Sequence, residues 1–393
     1  MGTLCFLSIF TAMILTSQAQ YLLPITKDEP TKQFYTTLEI GNYVKSPLYL
    51  LLDLGTNLTW LSCHKLQYLE SLHTVACDSV SCEAIPGNGC NKNSCLYQQP
   101  KPLSSQNVTG RVVQDGASFS TTDGGNFLSQ ATLRIFTFSC AGDNDLQGLA
   151  PPVAGVLSLS PGSSSFTKQV TSEFDVIPKL ALCLPSYGTG RFYVAGVYYI
   201  IPPFDNSTNP IPKTSTPMVI DSRGYQIIVM SMYVDGTPLT ILGQVATRLS
   251  TVVPYTVLQT DIYNALAQSF TLKAEEMGIS KVTSFAPFKD CFDARNVAGK
   301  NMTGPNVPEI EFGLPGNTGE VKWGFYGANT VVKVSEMVMC LAFYDGGQNP
   351  EDWIVIGTHQ LQDYLLEFDF STSTFSFSDS LLLHDTTCST RPS

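Results

Sequence analysis

Leu50-Leu51-Leu52-Asp53-Leu54-Gly55-Thr56-Asn57-Leu58-Thr59-Trp60 carries an apolar run to one carboxylate at a glycine turn, then leads away through a second apolar segment. A strand that is apolar at every position is buried on both faces, so an acid at its end needs a reason to be there. One reading is local, with Asp53 capping its own turn through hydrogen bonds. The rest of the chain decides whether a second reading applies.

At 393 residues the chain suits two or three ordinary domains or one large two-lobed one. Residues 1–19 contain the apolar run Leu4 to Leu15, followed by Thr16-Ser17-Gln18-Ala19, and read as a signal peptide cleaved near Ala19. The n-region lacks Lys and Arg. The run is too short to span a membrane, and no later segment is long enough. Eleven cysteines less Cys5 leave ten, an even number, as disulfides in an oxidising compartment require. Four of them, Cys77, Cys82, Cys90 and Cys95, crowd a loop-rich stretch whose spacing also occurs in zinc sites. In a secreted chain disulfides are the better reading, and no metal or cofactor is expected. Sequons at Asn57, Asn107, Asn206 and Asn301 mark candidate glycosylation sites. A net charge of −11 argues against nucleic acid as a partner and suits an acidic fluid such as an apoplast or vacuole.

Along the chain, residues 31–63 predict a hairpin followed by a buried strand. Residues 64–110 predict disulfide-pinned loops, 111–140 short strands, and Val153 to Leu159 a buried strand with Gly155 where another backbone approaches. The Pro-, Asn-, Ser- and Thr-rich stretch 201–217 reads as a seam between lobes, giving lobes of 20–200 and 201–393. Beyond it come a hairpin around Asp235-Gly236, a helix from Gln259 to Met277 ended by Gly278, and strands over Trp353–Ser378. Each half repeats one theme, an Asp-type loop followed about a hundred residues later by an apolar-apolar-Gly strand. Asp53 goes with Gly155, and a loop near residue 250 with Gly357.

The opening stretch resembles the first active-site loop of pepsin-like aspartic peptidases, apolar-apolar-Asp-Thr-Gly followed by a Trp. The resemblance covers most of residues 31–388. It implies a mainly β, bilobal fold around a central cleft, in which two facing carboxylates share one proton. In such a site one carboxylate acts as base on a water and the other protonates the substrate carbonyl. Asp221, in Val219-Ile220-Asp221-Ser222-Arg223-Gly224, nearly supplies the second loop, but Tyr225 to Val229 then reads as the strand entering the second lobe. The residues that trail a catalytic loop occur later, as Thr256-Val257-Leu258. Counting back six places from Thr256 lands on Ser250, with Val252 in place of the glycine. Leu54 stands where a Thr hydroxyl ties the loops together, and no Tyr-Gly flap occurs between Gln98 and Gly110. A Ser cannot form a proton-sharing dyad with Asp53. The peptidase site therefore reads as dead, the alternative being an aspartic endopeptidase with residual activity.

Leu249 to Leu258, Ala286-Pro287-Phe288, Gly304-Pro305-Asn306-Val307-Pro308, Val355 to Leu361 and Thr386-Thr387-Cys388 resemble a plant branch of this fold. It includes wheat-type xylanase inhibitors, extracellular dermal glycoproteins and basic 7S globulins. The resemblance implies five disulfides, Cys291–Cys340 among them, drawn from Cys63, Cys77, Cys82, Cys90, Cys95, Cys140, Cys183, Cys291, Cys340 and Cys388. It also implies a monomer, secreted to the apoplast or cell wall, that plugs the cleft of a microbial glycoside hydrolase of xylanase or endoglucanase type. The loop His384-Asp385 would do the plugging, because a His four residues before the last Cys meets the hydrolase carboxylates in the xylanase inhibitors. The simpler reading of His384 is an exposed residue of a terminal loop. Xyloglucanase-inhibiting relatives have Arg where Met302 and Asp385 stand here. A storage or signalling protein without inhibitory activity is the remaining alternative.

Overall fold

The run of apolar residues before Asp53 forms the strand Ser46–Asp53, and the register of its neighbours explains its composition. It lies antiparallel to Phe34–Ile40 on one side and parallel to Val153–Ser158 on the other. All six residues of Val153–Ser158 are buried, as expected for a strand covered on both faces. The computed structural model describes residues 19–389 except 86, 105, 206, 222, 241, 242, 296, 298 and 299. The signal-peptide reading thus concerns residues almost wholly outside those described.

The fold is mainly β. A fifteen-stranded sheet gathers the strands between Tyr21 and Val194 with Lys213–Pro217, Leu365–Asp369 and Thr374–Ser378 from the second half. A six-stranded sheet belongs wholly to the second half, with strands between Val219 and Ile356. One apolar cluster runs through both halves, from Leu23 and Phe34 to Phe368 and Phe377. The helix Thr260–Glu276 is capped by the Gln259 side chain, which accepts from the amides of Asp261 and Ile262, and Gly278 follows with φ +77°.

The repeat seen in the sequence is a repeat of geometry. Leu51 and Leu52 pair in parallel with Val156 and Leu157, while Trp60 and Leu61 cross antiparallel on the other side. In the second half Arg248 and Leu249 pair in parallel with Val355 and Ile356, and Val257 and Leu258 cross antiparallel. One detail differs from expectation. Ser158, not Gly155, stands opposite Asp53, so it takes the place that Gly357 holds one residue past the Leu249–Ile356 pair. Gly155 is needed for the crossing itself, because a Cβ there would lie 2.2 Å from the Trp60 carbonyl oxygen.

Two local readings are also corrected. Residues 111–140 do not form short strands; they form a ribbon of two long ones, Asn107–Thr122 and Phe127–Ala141. Bulges near Gly116 and Thr121 bend the ribbon, and such breaks in an alternating pattern look like strand ends in a sequence. The Asp235-Gly236 hairpin joins only Ser231–Val234 to Thr237–Pro238, since Gly224–Val229 belongs to the six-stranded sheet. All ten cysteines pair, as Cys63–Cys140, Cys77–Cys90, Cys82–Cys95, Cys183–Cys388 and Cys291–Cys340.

Candidate functional site: the cleft between the Asp53 and Ser250 loops

Each repeated strand ends at a turn, and both turns open on one cleft of about 320 Å³. Asp53, Thr56 and Asn57 line it from the first half, and Arg248, Ser250 and Val252 from the second. Asp53 is 8% exposed. Its Oδ1 accepts from the Gly55 amide at 2.9 Å and its Oδ2 from the Thr56 hydroxyl at 2.5 Å. The local reading of this Asp as a turn cap is therefore realised in the geometry. Burial pushes its carboxyl above the ordinary range, and those hydrogen bonds and the Arg248 charge only partly oppose the rise.

Ser250 is buried and held by its own turn. Its hydroxyl oxygen accepts from the amides of Val252 and Val253 at 3.2 and 3.1 Å, and its amide donates to Ile356 O at 3.0 Å. The two loops remain tied, but from one side only. The Thr251 hydroxyl donates to Leu52 O at 2.8 Å and accepts from the Leu54 amide at 3.3 Å. Leu54, 1% exposed, returns no hydroxyl. Asp221 is not among the cleft residues; its carboxylate is taken by the Arg223 amide and the Gln226 side chain, both at 2.8 Å.

The hairpin of Ser94–Pro100 and Asn107–Thr122 puts Lys101 and Pro102 at the cleft in place of a Tyr-Gly tip. The opposite rim is an ion-pair chain that sequence reasoning missed. Asp352 meets Arg223 at 3.1 Å and Arg248 at 2.8 Å, while Arg223 also meets Glu351 at 2.8 Å. Arg248 was legible, since it stands two residues before Ser250 and alternation puts both on one face of the strand. Asp352 was not, because its loop lies about a hundred residues along the chain from Arg248 and reaches the rim only through the fold.

Asp53→Asn gives a direct check on the burial of this carboxyl. Asn can accept from Gly55 and donate to the Thr56 oxygen, so both contacts survive. A folded-state pKa raised above the unfolded one costs stability increasingly as pH climbs past the unfolded value. The variant is therefore expected to melt higher than the wild type at pH 7, with the gain fading as pH falls toward about 4, where it is gone. Thermal melts at both pH values measure this, and equal melting at pH 7 would mean that Asp53 is better solvated than its 8% exposure indicates.

The other candidate residues lie apart from the cleft. His384 ends a short turn, Leu381–His384, and its half-buried ring packs edge-on against Phe204 with centroids 5.0 Å apart. Asp385 follows, exposed, with φ +55°. Cys388, three residues on, fastens the segment to Cys183. Asn107 is exposed and Asn57 is half-buried in the cleft wall; Asn206 falls outside the described residues, and Asn301 lies in the strand Lys300–Asn301. Met302 is exposed, and Arg295 is occupied by Asp293 at 2.6 Å.

Family comparisons agree with this geometry. The models described as xylanase inhibitor N-terminal and xylanase inhibitor C-terminal match residues 34–194 and 224–379. The chain is 32% identical to "Probable aspartic proteinase GIP2" of Nicotiana benthamiana, covering 98% of this chain and 95% of that protein. The chain belongs to the xylanase-inhibitor family of pepsin-like proteins. Within the family it is also 35% identical to gamma conglutin 1 of Prunus dulcis, over 83% of this chain and 77% of that one. Among solved structures, that of edgp superposes with a TM-score of 0.87 at 30% identity, covering 94% of this chain and 97% of the other. Soybean basic 7S globulin superposes with a TM-score of 0.81 at 25% identity, covering 95% and 98%.

Proposed function

We propose that this protein is secreted and non-proteolytic, and that it acts by binding and inhibiting a microbial glycoside hydrolase that degrades cell walls. The observation that carries the first part is Ser250, at the cleft position related by the internal repeat to Asp53. Peptide hydrolysis in this fold needs one carboxyl to take a proton from water while another gives one to the carbonyl oxygen. Ser250 has no proton to exchange in the working pH range, and its oxygen already accepts from two amides. Five disulfides support export to an oxidising compartment.

The inhibitory part rests on membership of the xylanase-inhibitor family and on the tethered His384 turn. A glycoside hydrolase presents two carboxyl groups across its cleft. An imidazole on a short, disulfide-anchored turn can meet such a pair through charge-assisted hydrogen bonds, with little ordering cost at binding. The chain is expected to slow a microbial endo-xylanase or endoglucanase and to form a one-to-one complex with it. His384→Ala should weaken that inhibition at least about tenfold, the loss of one charge-assisted bond. Steady-state inhibition and size-exclusion chromatography measure both effects. Peptide cleavage at acid pH that pepstatin blocks would overturn the non-proteolytic reading. Lack of effect on any glycosidase in a panel of both classes would overturn the inhibitory one.

A further inference from the structure

Away from the cleft, residues mostly of the second half, with Ser186 and Tyr187 of the first, line a cavity of about 700 Å³, within the range of small-molecule sites. Its lining is largely apolar and includes Ala294, Pro305, Val331, Val332 and Met339. Part of the wall is backbone packed on backbone. A Cβ at Gly304 would lie 2.4 Å from the Ala328 amide, and one at Gly327 would lie 1.9 Å from Pro305 O. This part of the wall has no side chains to swing into the space. The charges at its edge, Lys333 and Glu336, pair at 2.9 Å and leave no net charge there.

Ser186, Tyr187 and His359 are the uncharged polar side chains of the lining; Tyr187 is largely exposed, while His359 is the ring held in place by its own contacts. Its Nε2 lies 3.1 Å from Val331 O, and its face packs on Tyr255 with centroids 5.3 Å apart. A carbonyl oxygen only accepts, so Nε2 carries the proton. Burial, with smaller contributions from Lys27 and Lys32, outweighs that hydrogen bond and lowers the ring to about 4, so it is neutral at pH 6 and above. Nδ1 is then a lone-pair acceptor, and it has no hydrogen-bond donor among the described residues.

We infer that this cavity is a binding site for an uncharged, mainly apolar small molecule with one O–H or N–H group, which donates to His359 Nδ1. The apolar lining supplies the affinity, the paired charges at the edge give no preference for an ion, and the His359 acceptor fixes orientation. The site is separate from the Asp53 cleft and does not depend on hydrolase inhibition.

The test uses the full-length secreted protein with 1-naphthol, which has one donor, and 1-methoxynaphthalene, which has none, at pH 7. Fluorescence titration should show saturable one-to-one binding of 1-naphthol. Val332→Trp, which fills the space, should abolish binding of both probes. His359→Phe should weaken 1-naphthol about tenfold, one hydrogen bond's worth, while changing the methoxy compound less than about twofold. Because the chain has only four histidines, nitrogen-15 labelling of histidine reads the contact in the wild type, where the His359 Nδ1 resonance should move on adding 1-naphthol. The inference is overturned if neither probe saturates, if Val332→Trp leaves binding intact, or if Nδ1 does not move. The labelling result decides the matter even if His359→Phe does not fold.

Discussion

Replacing Cys183 and Cys388 together by Ala is expected to lower stability by about 5 kcal/mol, the largest loss for any one bridge in the molecule. The bridge spans 205 residues, and the chain entropy that a cross-link removes from the unfolded state grows with the logarithm of the closed loop. The next longest bridge, Cys63–Cys140, spans 77, and the two small ones span 13 each. The native side adds to this. Cys183 sits in the strand Lys179–Cys183, between Thr189–Val194 and Leu365–Asp369. Cys388 is fully buried; its amide donates to Asp363 and its carbonyl accepts from Arg191 at 3.2 Å. Urea titration of the double variant should show the loss, whereas the Cys77–Cys90 pair replaced in the same way should cost roughly 3 kcal/mol by the same relation. Equal losses for the two would mean that native packing, not loop closure, sets the effect.

The fold was legible to the extent that it rests on local chemistry. The apolar strand before Asp53, the helix beginning near Gln259 and the glycine after Met277 were all readable because each rests on near neighbours. The place of Ser250 could be counted from Thr256, since the spacing within one loop is fixed by that loop. The cleft's charge chain could not be read, because Arg223, Arg248 and Asp352 meet only when three separated segments of the six-stranded sheet come together. His359 carries no signal of its own in the sequence, and its ring packs on Tyr255. A cavity beside it is a property of what the surrounding backbones leave unfilled, and no residue type announces that. Gly304 and Gly327 were the available signal, two glycines that bring backbones into contact where neither ends a helix.

Glu367→Ala is expected to destabilise the protein by about 3–5 kcal/mol at pH 6, because it would remove a buried carboxylate on which Tyr199, Lys179 and Lys213 converge. Glu367 is 5% exposed on Leu365–Asp369, at the point where the second half of the chain enters the large sheet. It accepts from the Tyr199 hydroxyl at 2.6 Å and meets Lys213 at 2.8 Å and Lys179 at 3.3 Å. Residues from both halves thus converge on one carboxylate. Burial pushes its pKa up, but Lys213, Tyr199 and Lys179 outweigh burial and hold it below the usual glutamate value. A folded-state value below the unfolded one gives stability that is complete above about pH 4.5 and is lost as pH falls through the folded-state value. The gap between wild type and Glu367→Ala should therefore be widest near pH 6 and shrink toward pH 3 in urea titrations. Glu367→Gln separates the two contributions, since it keeps an acceptor for Tyr199 and removes the charge that Lys179 and Lys213 face. If Gln costs as much as Ala, the ion pairs dominate. If Gln is nearly silent, the Tyr199 bond does, and the pH dependence should then belong to other carboxylates, Asp369 first, which meets Lys179 at 3.2 Å.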